Sequence, residues 1–292
     1  MKADLDVSST ATFKTWEEAV GWLRSQPDQH DLVVGAYYDD PLHAAAQRYW
    51  QSAEWQAVRA FLPGATGAHA VDVGAGRGIA SYALAREGFS VTALEPDPSA
   101  LVGAQAIRQL AADTGLPITV TQEFSERLTF ADASFDLAFA RAVLHHTSDL
   151  EAACREFFRV LKPGGSLIAV REHVISRSSD LPAFLDLHPL HKLYGGENAF
   201  LLSAYTDALR RAGFRIERVL APLRSPINFA PQTTQTLQEE VARRLSRRVP
   251  ALARLISRTL RLPGLWALLL PALEHIDHRP GRLYSFVARK PQ

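Results

Sequence analysis

From about residue 68 onward, short apolar runs of strand length alternate with longer segments in which apolar residues recur at helical spacing. The run at 70–73 leads into a glycine-rich turn, and 79–88 follows as a predicted helix that ends at Gly88. Such alternation is typical of parallel strands joined by crossover helices. The sequence therefore predicts an α/β fold.

Further strands are expected wherever a short apolar run follows a helical segment or a turn. These runs occupy 89–97, 117–124, 134–143, 166–174, 214–223 and, last in the chain, 281–290. Asp149 is expected to cap a helix that stops at 162–165, where Lys-Pro-Gly-Gly follows. Another helix is expected to be capped near Ser203 and to end at Gly213.

Two helical segments flank this core. Amphipathic helices before residue 68 predict an N-terminal helical lid over 1–67. A second helical segment, 232–280, is inserted before the last strand. The predicted domain organisation is thus a core of 68–231 and 281–292 with these two additions.

Composition and charge exclude several classes of protein. The 292 residues are 47% hydrophobic and 22% charged, as in ordinary globular proteins, and a net charge of +1 argues against bulk attraction to nucleic acid. The single cysteine, Cys154, excludes an internal disulfide and a cysteine-rich metal site. No apolar run follows Lys2, so we expect neither a signal peptide nor a membrane span, and a cytoplasmic location.

The stretch AVDVGAGRG, residues 70–78, is where candidate chemistry begins. Glycines between a strand and its helix let a ligand approach the backbone, and the helix N-terminus offers free N–H groups. The next strand ends near Glu95, and a carboxylate at that place accepts hydrogen bonds from ribose hydroxyls. Together the two features predict a nucleoside-containing cofactor.

Two cofactors compete for this arrangement. A dinucleotide-binding loop needs G-x-G-x-x-G, but Ile79 stands where its last glycine would be. The observed G-x-G-x-G, with Asp72 before it, resembles the first motif of class I S-adenosylmethionine-dependent methyltransferases. The segment 130–170 is similar to the corresponding region of the group that includes the ubiquinone and menaquinone methylases.

The resemblance implies S-adenosyl-L-methionine as the cofactor and a Rossmann-like seven-stranded sheet whose last strand is antiparallel, with helices on both faces. In such enzymes the equivalents of Asp72 and the glycines hold the methionine end, and the equivalent of Glu95 holds the ribose. The residues expected to bind the cofactor are Asp72, Gly74, Ala75, Gly76, Glu95, Pro96, Glu123, Phe124, Arg141 and Tyr38.

One departure from the family pattern concerns the adenine. Related sequences carry an Asp-Ala or similar pair after the third strand, whereas this chain has Glu123, Phe124 and Ser125. Either Glu123 reads the adenine amino group, or Phe124 packs on the ring and a backbone group reads the amine. A third interpretation makes Phe124 an ordinary core residue.

Methyl transfer is an in-line displacement, and an oxygen or nitrogen acceptor also needs a base. The predicted catalytic residues are His173, His146 and Glu172, at the ends of the fourth and fifth strands. The alternatives are a structural role for His146 beside His145 and a solvated strand end for the other two. His188 and His191 lie three residues apart, but no third ligand is evident, so no metal site is predicted.

The lid supplies a further candidate contact. Tyr37 and Tyr38 lie between its helices and are candidates to face the sulfonium through a cation–π contact. The alternative is that both rings simply pack the lid against the core.

The insertion 232–280 is basic and amphipathic. Its arginines and apolar residues include Arg243, Arg244, Arg247, Arg248, Arg254, Arg258, Arg261, Leu245, Leu252, Leu255, Ile256 and Leu260. One interpretation is a helical cap, substrate lid or homodimer surface. The other is peripheral contact with an anionic membrane, with Trp266 at the interface.

The predicted function is that of an S-adenosylmethionine-dependent methyltransferase. The expected acceptor is a small molecule, a sugar or a lipid-linked metabolite, methylated most often on oxygen, and no nucleic-acid partner is expected. Two alternatives remain open at this point: a non-catalytic S-adenosylmethionine-binding regulatory protein and an NAD(P)-dependent oxidoreductase.

Overall fold

The computed structural model describes residues 13–248 and 258–292. Its centre is an eight-stranded sheet. The strands are β1 (His69–Val73), β2 (Ser90–Leu94), β3 (Ile118–Thr121), β4 (Phe135–Arg141), β5 (Leu161–Ile175), β6 (Phe200–Leu201), β7 (Arg215–Leu220) and β8 (Arg282–Arg289).

The strand order is β3-β2-β1-β4-β5-β8-β7, and the short β6 pairs with the end of β5. Strands β1 to β5 run parallel, whereas β8 is antiparallel to both of its neighbours. The predicted α/β fold and antiparallel last strand are confirmed. The expected count of seven was one too few, because the two residues of β6 are too short to produce a recognisable pattern.

The helices come before the sheet, between its strands and before β8. They are α1 (Trp16–Ser25), α2 (His30–Gly35), α3 (Leu42–Gln51), α4 (Ala53–Arg59), α5 (Ile79–Arg86), α6 (Ala104–Thr114), α7 (Leu150–Val160), α8 (Leu181–Leu187), α9 (Pro189–Tyr194), α10 (Leu202–Ala212), α11 (Pro226–Phe229), α12 (Thr234–Arg248) and α13 (Pro263–Ile276). Short 3₁₀ turns lie at Pro27–Gln29, Leu144–His146 and Ser178–Asp180.

The predicted caps and ends of α7 and α10 agree with the structure only in part. Asp149 caps α7 by accepting a hydrogen bond from the Ala152 N–H at 2.9 Å, as predicted. Strand β5 starts at Leu161, directly after α7, and so takes in the Lys-Pro-Gly-Gly segment expected to be a break. Helix α10 ends at Gly213, as predicted, but its N-cap is Leu201 and not Ser203.

Apolar side chains cover both faces of the sheet, because neighbouring residues of a strand point to opposite sides. On β1, Ala70 packs with α3 to α6, while Val71 packs with α7 and α10. The two core layers leave the carboxyl ends of the parallel strands open at one edge. Ligands of open α/β sheets bind at that edge.

A buried carboxylate joins the N-terminal helices to the sheet. Glu54 of α4 accepts hydrogen bonds from Arg141 at 2.6 and 3.1 Å, and Arg171 lies 3.4 Å away. The Arg141 guanidinium also lies over the rings of Tyr49 and Tyr37, at 5.1 and 5.6 Å. Burial alone would raise the pKa of Glu54, but the two arginines outweigh it and hold this pKa below its ordinary value.

The helices α12 and α13 pack against each other within the insertion. Leu237, Ala242, Leu260 and Trp266 form their shared apolar cluster. Trp266 is only 6% exposed, so its ring is not available to a membrane surface. Leu252, Arg254, Leu255 and Ile256 lie outside the described residues. None of the described helices has the length and apolar character needed to span a bilayer. Membrane contact and dimerisation through this segment stay predictions.

We expect the substitution Glu54→Gln to destabilise the protein by about 3–5 kcal/mol, because it leaves two buried arginines without their counter-charge. Urea unfolding of the variant and the parent protein measures the difference. Asp207→Asn is the matched control: its ion pair with Arg210 is half exposed and should contribute less than about 1 kcal/mol. Equal stability of the Glu54 variant and the parent would contradict the proposed role of this carboxylate.

Candidate functional site

A cavity of about 570 Å³ lies at the carboxyl edge of the sheet. Its walls come from the glycine loop after β1, the ends of β2 and β4, the 3₁₀ turn 144–146, the N-terminal helical segment, and helix α9 with the residues on either side of it. A volume in this range suits a small organic ligand or cofactor. The site therefore lies where the sequence placed it.

The three glycines of the loop have different tasks. Gly74, Gly76 and Gly78 all have positive φ, of 59°, 56° and 82°. A Cβ at Gly74 would lie 2.7 Å from the Val143 side chain, and one at Gly78 would lie 3.1 Å from Ile107. A Cβ at Gly76 would meet no protein atom within 4 Å. Two glycines thus allow close packing, and the third leaves ligand space open.

Two buried acids stand beside this loop. Asp72 accepts a hydrogen bond from the Ser81 hydroxyl at 2.6 Å. Glu95 accepts from the Gly76 and Asp97 N–H groups at 2.6 and 2.9 Å, which fixes its carboxylate at the end of β2. Burial raises the pKa of Asp72 and of Glu95 to about 7. In the absence of a ligand, both acids are therefore poorly stabilised as anions.

The adenine candidates after β3 differ in what they touch. Glu123 accepts hydrogen bonds from the Thr121 hydroxyl at 2.9 Å and from the Thr129 hydroxyl and N–H at 2.6 and 2.8 Å. Phe124 is 72% exposed and lines the cavity, so its interpretation as a core residue is wrong. An exposed ring at a cavity wall offers a stacking surface to a planar ligand.

The glycine loop also holds the lid in place, through a residue that sequence reasoning missed. Arg77 is buried and donates to the Tyr37 and Asp39 carbonyls at 3.0 and 2.9 Å and to the Asp40 carboxylate at 2.6 Å. Arg24 pairs with the same carboxylate. In the sequence Arg77 reads as a spacer between glycines, and only the folded chain shows its partners.

Aromatic rings from the N-terminal helical segment and from helix α9 line the cavity. Tyr38 lies 5.9 Å from Trp16, edge to face, and Trp16 lies 5.7 Å from Tyr194. Burial raises the pKa of Tyr38 to about 12. Tyr37 also lines the cavity and packs on Tyr49 at 5.3 Å. Both predicted tyrosines thus face the ligand space, and Trp16 joins them without having been predicted.

Glu172 organises the turn after β4. It is fully buried and accepts hydrogen bonds from the N–H groups of Val143 and His145, both at 3.1 Å, and from His145 Nδ1 at 2.7 Å. All three donors belong to the protein, and Glu172 does not line the cavity. Its position is that of a residue that orients His145 rather than one that meets an acceptor.

Imidazole rings line the end of the cavity beyond the glycine loop. His146 Nδ1 lies 3.0 Å from the Gly196 carbonyl, and His173 Nδ1 lies 3.1 Å from the Gly281 carbonyl. A carbonyl accepts, so each Nδ1 carries the proton and each Nε2 carries the lone pair. Burial lowers the pKa of His146, and lowers that of His173 to about 2. Both shifts favour the neutral form of the ring.

His188 and His191 do not share a ligand site. The His188 Nδ1 accepts a hydrogen bond from the His191 N–H at 3.3 Å and so caps α9. His188 lines the cavity, whereas His191 does not. Their spacing of three residues reflects helix capping.

Comparisons with known proteins agree with this geometry. A family described as a methyltransferase domain matches residues 71–169. The O-methyltransferase resE of Aspergillus sclerotiorum is 28% identical over 229 residues, which cover 74% of this chain and 83% of that protein. A ubiquinone biosynthesis O-methyltransferase of Methylobacterium nodulans is 36% identical over 108 residues, 37% of this chain and 42% of that protein.

A likeness among solved structures concerns the fold alone. The crystal structure of the [4+2]-cyclase SpnF superposes with a TM-score of 0.55 at 24% identity, over 86% of this chain and 82% of that one. The fold is therefore shared with a [4+2]-cyclase, so it does not by itself indicate methyl transfer.

The cavity fits S-adenosylmethionine. The space above Gly76 admits a ligand against the backbone, and the Glu95 carboxylate lies at its edge. The exposed Phe124 ring lies along the same wall. The motif, the matched domain, the O-methyltransferase relatives and the sheet with its antiparallel last strand lead to one conclusion. The chain matches a methyltransferase domain over residues 71–169, and its relatives and fold support an S-adenosylmethionine-dependent methyltransferase with S-adenosylmethionine as its cofactor.

Proposed function

We propose that the protein methylates a hydroxyl oxygen of a small-molecule acceptor. The observation that carries this proposal is the continuity of the cavity: it is lined by Gly76 and Glu95 and also by the imidazole rings of His146 and His173. A hydroxyl must lose its proton as the new bond forms, and a neutral imidazole accepts one. The names of the two relatives also favour oxygen as the acceptor atom.

The donor end is assigned residue by residue. Glu95 would accept hydrogen bonds from the ribose hydroxyls, Asp72 would lie at the methionine end beside the loop, and Phe124 would offer its ring to the adenine. Glu123 holds its own loop through Thr121 and Thr129, which leaves the amine to a backbone group near Ser125. When bound, the cofactor supplies an electrophilic methyl group on a sulfonium.

The residues at the acceptor end align the hydroxyl and take up its proton. His146 is the best placed base, because its side chain is 43% exposed while His145 and His173 are buried more deeply. Its Nδ1–H donates to Gly196, so the Nε2 lone pair is free to accept the proton. The aromatic lid excludes water from this exchange.

The proposal is tested by turnover. Purified protein is incubated with isotopically labelled S-adenosylmethionine and a panel of hydroxylated small molecules, each paired with its amine and thiol analogue. Mass spectrometry is expected to find the label on oxygen. Label on nitrogen or sulfur alone would overturn the choice of acceptor atom, and cofactor binding without turnover would favour a non-catalytic binding protein. Fluorescence of bound NADH would favour an oxidoreductase.

Replacing Glu95 by Ala should weaken S-adenosylmethionine binding by about 1–3 kcal/mol, roughly 5- to 150-fold, through loss of charge-assisted bonds to the ribose. Titration calorimetry gives the affinity. Glu217→Ala on β7 is the control, since that carboxylate does not line the cavity. Unchanged affinity in the Glu95 variant would remove it from the ribose site.

The affinity of the protein for S-adenosylmethionine should also rise with pH. Burial raises the pKa of Glu95 and Asp72 to about 7, so the folded, ligand-free protein holds these protons more tightly than the unfolded chain does. Their contribution to stability is therefore present at low pH and lost as the pH rises through 7. The ionised Glu95 carboxylate accepts hydrogen bonds from ribose hydroxyls better than the protonated acid does. The affinity for S-adenosylmethionine should therefore increase as the pH rises through the same range.

Thermal unfolding with and without S-adenosylmethionine at pH 6, 7 and 8 measures both effects. The ligand-induced rise in melting temperature should be larger at pH 8 than at pH 6. Glu95→Gln should reduce the pH dependence of this ligand-induced rise. The pH dependence that remains in the variant is attributed to Asp72. An equal or smaller rise at pH 8 would contradict the assignment.

His146→Gln should reduce turnover by roughly 10²- to 10⁴-fold while the affinity for S-adenosylmethionine stays unchanged. His173→Gln, made in parallel, compares the other predicted base. The substitution His275→Gln changes an exposed residue on α13 and should leave turnover unaltered. If the His146 variant turns over normally, the base lies elsewhere.

A further inference from the structure

Three side chains from separate parts of the chain converge at the acceptor end of the cavity. His145 follows β4, His173 belongs to β5, and Glu197 lies in the loop after α9. Each offers one nitrogen or oxygen atom, and these atoms all lie within 4.8 Å of one another. His145 Nε2 is 3.7 Å from Glu197 Oε2. The three residues form a compact set of two imidazoles and one carboxyl group.

The Glu197 carboxyl group lacks a partner for one of its two oxygens. Within the described residues, its Oε2 atom is buried and has no hydrogen-bond partner. His145 Nε2 and His146 Nε2 approach this oxygen at 3.7 and 3.8 Å, beyond hydrogen-bond distance. A buried carboxylate oxygen without a partner is costly, and native structures seldom leave one without a functional reason. A cation between these groups would meet that need.

Hydrogen bonds at Nδ1 orient the rings of His145 and His173 for metal binding through Nε2. His145 Nδ1 donates to Glu172 at 2.7 Å, and His173 Nδ1 donates to the Gly281 carbonyl at 3.1 Å. Both rings are thereby fixed in the tautomer whose Nε2 lone pair is free. Metal-binding histidines usually have this arrangement, in which a carboxylate or carbonyl accepts the second N–H and orients the ring.

We propose that His145, His173 and Glu197 bind a divalent transition-metal ion at the acceptor end of the cavity. Two imidazoles and one carboxylate are the donor set of many zinc and non-haem iron sites with open coordination positions. Bonds of about 2.0–2.2 Å place tetrahedral ligand atoms roughly 3.3–3.6 Å apart. Small side-chain rotations close the present distances to that range. The sequence predicted no metal because the three ligands share no local spacing.

The ion deepens the proposed function, and this part of the inference rests on it. Bound there, the ion would lower the pKa of an acceptor hydroxyl that coordinates it and so ease loss of the hydroxyl proton. An ion with open positions also favours an acceptor whose hydroxyl has a second oxygen beside it, because two oxygens chelate the ion. The acceptor class is therefore a vicinal diol, a catechol or a hydroxy acid.

Metal binding is tested on the full chain without any methyl acceptor. Protein stripped with a chelator is dialysed against Zn²⁺, Co²⁺ or Mg²⁺, and elemental analysis gives the bound equivalents. One equivalent of Zn²⁺ or Co²⁺ is expected, with the visible absorption of nitrogen- and oxygen-ligated Co²⁺. His173→Gln and Glu197→Gln should each weaken binding more than 100-fold, and Glu172→Gln, which only orients a ligand, should weaken it about 10- to 100-fold.

Two controls keep the outcomes separate. His275→Gln, at an exposed histidine on α13, should bind metal like the parent protein. The affinity of every variant for S-adenosylmethionine reports whether the fold and the donor site are intact. No bound ion in the parent protein, or binding that persists in both His173→Gln and Glu197→Gln, would overturn the metal site. Metal binding without methyl transfer would instead overturn the proposed function and leave the site standing.

Discussion

The contact on which the site depends most is the one between the Glu54 carboxylate and the guanidinium groups of Arg141 and Arg171. It ties helix α4 to the ends of β4 and β5, where the parallel strands open onto the cavity. The Arg141 charge in turn supports the rings of Tyr37 and Tyr49. A buried charge cannot stay unpaired at low cost, so the lid helices and the sheet must take up one relative position.

A second constraint acts at the opposite wall of the cavity. The glycine loop must be tight enough for Gly74 and Gly78 to pack, yet Arg77 projects from the same loop to hold the 37–40 turn. The backbone that receives the cofactor therefore also positions the lid above it. The same short turn thus both lines the cavity and holds the N-terminal segment in place.

Features that depend on residues close together in the sequence could be predicted. The alternation of strands and helices predicted the sheet, and the position of Glu95 at the end of the second strand placed it beside the glycines. Pairings across long separations in sequence were not predictable in this way. Glu54 and Arg141 lie 87 residues apart in the sequence, and no local pattern marks them as partners. Phe124 was predicted as a cofactor contact, but a core position stayed an alternative because hydrophobicity alone does not distinguish a cavity wall from an interior.

The three glutamates of the site show why residue type is a poor guide to role. Glu172 is saturated by three protein donors and serves as a support, whereas Glu95 keeps a raised pKa because burial outweighs its two backbone bonds. Glu197 has a buried oxygen with no partner among the described residues. These three glutamates are distinguished by the number of hydrogen-bond donors around each carboxyl group. A carboxylate with several protein donors stabilises the fold, whereas a buried carboxyl oxygen without a partner is where a ligand would be sought.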